Sequence, residues 1–283
     1  MKTNKGCSIL NSKINTQAYD IPQVEIPGAL KLHFRLGVVG SSGSGKTTSV
    51  VNYLKQTGYI RPDIFTNIVL ISPSGTSNRV THLRAEPKWA GIASIEYENF
   101  SKPVLAEIER MQLDRILTHK TYLSELELWN RFIKEGVEDL TDAELMFLES
   151  KDFKRPISPF GTEHYPTLLI LMDDCCSSST DKMLGDFCSR SRHYNASVII
   201  MVQHYSQMGR ALRKQLSSLM LFKTLDETLL KLLWQQQCAG DMKFQQFQAM
   251  FNSLEHRHNF VFCDWNSEKV GRYRINFDEY ITL

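Results

Sequence analysis

The chain has 283 residues, of which 42% are hydrophobic and 23% charged, with a formal net charge of +2. That size admits one large α/β domain, or one domain with appendages, around a sizeable core, and the near-neutral balance excludes neither a nucleic-acid nor a protein partner. The longest apolar runs, such as Leu168–Met172 and Val198–Val202, are far too short to span a bilayer, so a soluble intracellular protein without a membrane span is expected.

In chain order, residues 1–30 are polar and irregular and read as an extended arm, followed by one domain over 31–283. His33–Gly40 is an apolar strand running into a glycine loop, and Thr47–Gln56 is a helix with a stop at Gly58. Asn67–Ser72 is a second strand, and Ser94–Phe100 holds a short third. Residues 103–151 change period: Leu105, Ile108, Met111, Leu113, Ile116 and Leu117, then Tyr122, Leu126, Trp129 and Ile133, recur at helical spacing, and Thr141–Glu144 resembles a capping box. This stretch is expected to be a helical insertion.

Thr167–Asp174 is an apolar strand ending in two carboxylates, followed by a helix over Asp181–Ser191. Ala196–Gln203 is another strand, Met208–Ser218 a helix, and Leu219–Lys223 a short strand. Asp226–Cys238 and Lys243–Asn252 read as helices, and Asn259–Trp265 and Tyr273–Phe277 as closing strands. The apolar strands lack alternation, which fits burial on both faces of a mostly parallel sheet in a three-layer α/β domain.

Four features carry chemistry. Gly40, Gly45, Lys46 and Thr47 meet G-x-x-x-x-G-K-[ST] between a strand and a helix. Loop residues Gly40, Ser41, Ser42, Gly43, Ser44 and Gly45, with Thr48 just beyond, would wrap the phosphates of ATP. Lys46 would reach the β- and γ-phosphates, and Thr47 would put its hydroxyl on Mg²⁺. Asp173 at the end of its strand would act on the same Mg²⁺, and Asp174 would polarise the attacking water. Gln203, at a strand end, can sense the γ-phosphate. The arginines Arg190, Arg192, Arg210 and Arg213 supply candidates for a finger that meets the γ-phosphate late; solvated surface roles are the alternative for each.

Six cysteines form no C-x-x-C pair and read as reduced, mostly buried thiols. Cys175 and Cys176 are expected to pack beneath the carboxylates. His256 and His258 lack a third ligand and read as edge or loop histidines. Trp234 and its leucine neighbours read as helix core.

The glycine loop, the Asp173–Asp174 pair, and above all Ser191-Arg192-His193-Tyr194-Asn195-Ala196-Ser197-Val198-Ile199 followed by Gln203 resemble the viral genome-packaging ATPases, the poxvirus-type branch of the HerA/FtsK superfamily. Ala211-Leu212-Arg213-Lys214-Gln215 and then Leu219–Phe222 resemble that group's arginine-then-strand segment. The resemblance covers roughly residues 33–224. It implies a RecA-like P-loop fold of the additional-strand (ASCE) class and a ring homo-oligomer. Such a ring pumps double-stranded DNA into a preformed capsid in the host cytoplasm or at a virus assembly site, with capsid or portal partners and a possible place in the virion. Carried over residue by residue, Lys46 and Thr47 are the Walker A pair, Asp173 the magnesium carboxylate and Gln203 the sensor. Arg192 and Arg213 are both finger candidates. Asp174 departs from the usual catalytic Glu by one methylene. The alternatives are a cellular HerA/FtsK-like pump or helicase, and a nucleotide-dependent switch without motor activity.

Overall fold

The computed structural model describes residues 22, 24, 26, 28–73, 92–176, 180–268, 271–277 and 279–281. Most of the expected N-terminal arm, with Cys7, lies outside them. The arm's last residue does not: Leu30 is buried, and its N–H donates to the Tyr53 hydroxyl at 2.8 Å.

The elements are β1 (Arg35–Val39), α1 (Lys46–Gln56), β2 (Asn67–Ile71), β3 (Ala93–Tyr97), α2 (Lys102–Glu135), α3 (Asp142–Ser150) and β4 (Leu168–Asp173). They continue with α4 (Asp181–Arg190), β5 (Ala196–Val202), α5 (Arg210–Arg213), β6 (Ser218–Phe222), α6 (Glu227–Leu233), α7 (Phe244–Asn252), β7 (Phe260–Asp264), β8 (Tyr273–Ile275) and β9 (Glu279–Tyr280).

All the strands join one sheet in the order β3-β2-β4-β5-β1-β6-β7-β8-β9. From β3 to β6 the pairing is parallel; β7, β8 and β9 add an antiparallel extension. β5 is inserted between β1 and β4, the arrangement of an additional-strand P-loop domain. Its seven residues are all buried, as are all five of β2 and of β6. This is why the strands show no polar alternation: both faces are covered.

Residue parity sorts the two faces. Leu168, Ile170 and Met172 of β4 join one cluster with Ile108 of α2, Leu184 of α4, Leu212 of α5, Leu230 of α6 and Phe247 of α7. Leu169 and Leu171 join the opposite cluster with Val50, Tyr53 and Leu54 of α1. Helices thus cover both faces, α1 on one and five helices on the other.

The insertion is helical as expected, but its apolar stripe has two fates. Ser101 caps α2, and Leu105, Ile108, Gln112, Ile116, His119 and Tyr122 are buried. Beyond Tyr122 no residue of α2 is buried. Phe132 instead meets Trp129 and Phe153 in a small peripheral cluster, and Ile133 is 64% exposed. The Thr141–Glu144 capping box is present, and Glu144 pairs with Arg131 to fold α3 back on α2.

One expectation is corrected, and a second is met with a change of winding. The helix expected over 208–218 is the single turn Arg210–Arg213. Asp181 takes the place of a cap for it: its Oδ1 accepts from Leu212 N–H at 3.3 Å, and a Cβ on Gly209 would lie 2.1 Å from the Asp181 carboxylate. The helix expected over 226–238 ends as α helix at Leu233 and widens into a π turn over Trp234–Cys238. Trp234 donates its indole N–H to the Met242 carbonyl at 2.7 Å, in the role of helix core.

Candidate nucleotide site

The glycine loop closes on itself. Ser44 N–H donates to the Ser41 carbonyl at 3.2 Å, and Lys46 Nζ donates to the carbonyls of Gly40 at 2.7 Å and Ser41 at 3.2 Å. Ser44, Lys46 and Thr47 are buried, whereas Ser41, Ser42, Gly43 and Thr48 are exposed on the rim. Gly40 has no room for a side chain: a Cβ would lie 2.6 Å from Ser44 Oγ and 2.9 Å from Phe222. Gly45 is the N-cap of α1 at φ +97°, a conformation that side chains disfavour, and no side chain caps the helix. The first-turn N–H groups have no intrahelical acceptors, so the loop and the helix dipole together offer the donors that an anion would need.

Sheet register brings the carboxylates to this loop. Val38 pairs with Met201, and Met201 with Asp173, so the three lie in one row across β1, β5 and β4. Gly40 N–H continues the ladder to the Val202 carbonyl at 3.2 Å, and Asp174 N–H to the Met201 carbonyl at 3.0 Å. Two strand spacings put Asp173 about 10 Å across the sheet from Val38. Parity supplies the direction: Asp173 follows Leu169 and Leu171, and Gln203 follows Ile199 and Met201, all of which face α1. The loop, Asp173 and Gln203 therefore stand at the C-terminal ends of the adjacent strands β1, β4 and β5, with Asp173 on the α1 face.

Asp174 breaks the strand in the left-handed region, at φ +51°, which Asp tolerates better than most residues. There its Oδ2 accepts from Gln203 Nε2 at 2.7 Å. Gln203 is held in turn, because Gln207 Oε1 accepts from the backbone N–H groups of Gln203 and His204 at 2.9 and 2.8 Å. Beneath the carboxylates, Cys175 Sγ donates to the carbonyls of Ile71 and Asp173, and burial pushes the Cys175 and Cys176 thiols up to about 12. Both are protonated packing groups, as expected.

Among the described residues no group of three or more His, Cys, Asp or Glu could hold a metal ion. Thr47 and Asp173 offer one hydroxyl and one carboxylate, the sparse set that suits Mg²⁺ bound mainly through substrate phosphates and water. Beside the loop, a cavity of about 470 Å³ is bounded by Gly40, Ser41, Gln203, Tyr205, Phe222 and Asp226, among others. Lys46, Thr47 and Asp173 lie outside its lining.

The arginines are placed apart. Arg192 is exposed in the short turn Ser191–Tyr194, which leads into the start of β5. β5 has seven residues, and at about 3.3 Å per residue it separates Arg192 from the Gln203 edge by more than 20 Å. Arg213 is half-buried, with its guanidinium carbon 4.7 Å from the centre of the Tyr205 ring. Arg190 pairs with Glu109 of α2 at 3.1 Å. Neither Arg192 nor Arg213 lines the cavity beside the loop. His258, read from the sequence as an edge or loop histidine, does lie in a turn, and that turn touches the glycine loop from 214 positions away. No local pattern announces such a contact.

Residues 143–278 match the family described as "Poxvirus A32 protein". The chain is similar to the poxvirus A32 proteins. The A32-like span is just under half of the chain and contains Asp173, Asp174, Arg192, Gln203, Arg213 and His258; the glycine loop precedes it. No curated protein sequence matches the chain. Among solved structures, "B204, the DNA-packaging ATPase from Sulfolobus Turreted Icosahedral Virus" aligns at 12% identity over 88% of this chain and 97% of that one, with a TM-score of 0.46. The genome packaging NTPase B204 of Sulfolobus turreted icosahedral virus 2 in complex with ATP-gammaS gives 13% identity, 88% and 98% coverage and a TM-score of 0.44. EssC (ATPases 2 and 3) from Geobacillus thermodenitrificans gives 10% identity over 93% of this chain and 46% of that one, with a TM-score of 0.45.

Proposed function

We propose that this chain is an ATP-hydrolysing motor that moves double-stranded viral DNA into a preformed capsid. The observation that carries the reading is the row Val38–Met201–Asp173, which sets the anion loop, a metal carboxylate and the Asp174–Gln203 pair at one sheet edge. The A32 match over the carboxylate and sensor strands adds support for the viral branch.

Each residue then has a task. Backbone N–H groups of the loop hold the phosphates, and Lys46 exchanges its contacts with the loop carbonyls for phosphate oxygens. Thr47 and Asp173 would hold Mg²⁺, which when bound offsets charge on the β- and γ-oxygens. Asp174 orients the attacking water, and Gln203 links its carboxylate to the state of the γ-phosphate. An arginine that neutralises the developing charge has to arrive from outside this constellation. Arg192, at the opposite sheet edge, can do so only from a neighbouring subunit, which calls for a ring. DNA grip is expected to be mainly to phosphates, since a packaging motor passes any sequence. The working place is the cytoplasmic site of virus assembly, with the capsid vertex as partner.

The test is ATP hydrolysis with and without double-stranded DNA, with Lys46→Ala and Asp173→Ala beside the unaltered chain. DNA-stimulated turnover that both substitutions abolish supports the motor. Nucleotide binding without turnover supports a switch, and a preference for GTP overturns the assignment.

A further inference from the structure

The turn before β7 reaches the glycine loop. His258 Nδ1 lies 2.9 Å from the Ser44 carbonyl oxygen, and a Cβ built on Gly45 would lie 3.4 Å from the same nitrogen. A carbonyl only accepts, so Nδ1 carries the proton. The other ring nitrogen, Nε2, accepts from Arg257 Nε at 3.3 Å, which matches a neutral ring with its proton on Nδ1. The turn itself is held firmly. Asn259 Oδ1 accepts from His256 N–H at 2.8 Å, Asn259 N–H donates to the His256 carbonyl at 3.0 Å, and Lys223 Nζ donates to the Glu255 carbonyl at 3.0 Å.

The consequence lies in the next atom along the chain. In a trans peptide the C=O and the following N–H point in opposite directions. Holding the Ser44 carbonyl outward against His258 therefore aims the Gly45 N–H away from His258. Gly45, at φ +97°, is the most easily rotated residue at this junction, so an unsupported peptide here can flip at little cost. A flip would turn a carbonyl oxygen toward the phosphates in place of a donor.

We propose that His258 is a positioning residue for the nucleotide: its hydrogen bond to the Ser44 carbonyl fixes the Ser44–Gly45 peptide so that the Gly45 N–H serves the phosphates. This rests on residues 40–47 being the ATP site. The interaction is made to the loop, not to the γ-phosphate, so it serves ADP and ATP alike. It is also equal in ground and transition states, and therefore acts on KM rather than kcat.

The experiment is calorimetric binding of Mg-ADP, Mg-ATP and AMP to the full chain and to H258F, H258A and H258N. H258F keeps a ring and removes the donor, whereas H258N keeps a donor at nearly the position of Nδ1. Expected are about tenfold losses of ADP and ATP affinity in H258F and H258A, the worth of one hydrogen bond at its upper range. H258N should recover most of the loss. The Tm without nucleotide should fall by no more than a few degrees in H258F and H258A, kcat at saturating ATP should stay unchanged, and AMP should bind equally to all. ADP binding by H258F at the unaltered level, or an equal loss in H258N, overturns the proposal. If the unaltered chain binds no nucleotide, the site assignment itself fails, and this inference goes with it.

Discussion

Gln203 donates a hydrogen bond from Nε2 to Asp174 Oδ2 at 2.7 Å, across the end of two adjacent strands. The residue that would orient water and the residue that would sense the γ-phosphate are thus one unit. Asp174 has one methylene less than the Glu usual at this place, and its left-handed backbone at φ +51° and this amide set where its short side chain sits. Gln203→Ala is expected to lower kcat about 10- to 100-fold with little change in KM, because it frees the carboxylate without touching the phosphate loop. Gln203→Glu, which opposes two carboxylates, should lower it further. Steady-state ATPase assays with DNA check both.

Lys46 and Asp173 should separate binding from chemistry. Lys46 bridges the loop through Gly40 and Ser41, so Lys46→Ala should weaken ATP binding at least tenfold, as read by calorimetry. Asp173→Ala leaves the loop intact. It should retain nucleotide without Mg²⁺ and lose hydrolysis, and a chelator should mimic it in the unaltered chain.

Mixing of variant chains tests Arg192, whereas Arg213 is tested alone. Arg192 is separated from its own Gln203 edge by the length of β5. Mixtures of Arg192→Ala and Lys46→Ala chains, each inactive alone, should regain part of the ATPase rate, because a mixed ring has interfaces with both parts intact. Arg213 packs on Tyr205 within its own chain, so Arg213→Ala should act by loosening that contact. Failure of the first mixture to recover any rate rules out Arg192 as the shared finger.

His33 gives a pH dependence of stability. Burial, and to a lesser extent the charge of Arg35, lower His33 from 6.5 to about 4, so the folded ring stays neutral where the unfolded ring takes up a proton. That preference favours the unfolded chain as pH falls from about 7 toward 4. The Tm should therefore drop through this window, and His33→Gln should flatten the drop in a calorimetric pH series.

Much of the architecture is legible in the chain because its signals are local. A strand, a glycine loop and a helix in immediate succession leave little choice of conformation for residues 35–56, and short continuous apolar runs such as Leu168–Met172, bounded by polar or turn residues, favour strands covered on both faces. The same reasoning over-extends where packing overrides pattern. Met208–Ser218 has helical spacing, yet forms only one turn, because Asp181 caps a helix that must soon return the chain to β6. The apolar stripe of α2 continues to Ile133, but no residue past Tyr122 is buried, and this part of the helix meets peripheral aromatics and α3 instead of the core.

By itself the amino-acid sequence determined which groups could meet a triphosphate: the loop 40–47, the Asp173–Asp174 pair and Gln203, each at the end of an apolar strand, where the backbone period places it. The tertiary structure alone decided who meets whom. Inserting β5 between β1 and β4 aligns three strand ends into one edge and ties Gln203 to Asp174. The fold also brings His258 to Ser44 across 214 positions. Strand order and register are long-range pairings, chosen by the burial of the whole sheet, and no local segment encodes them.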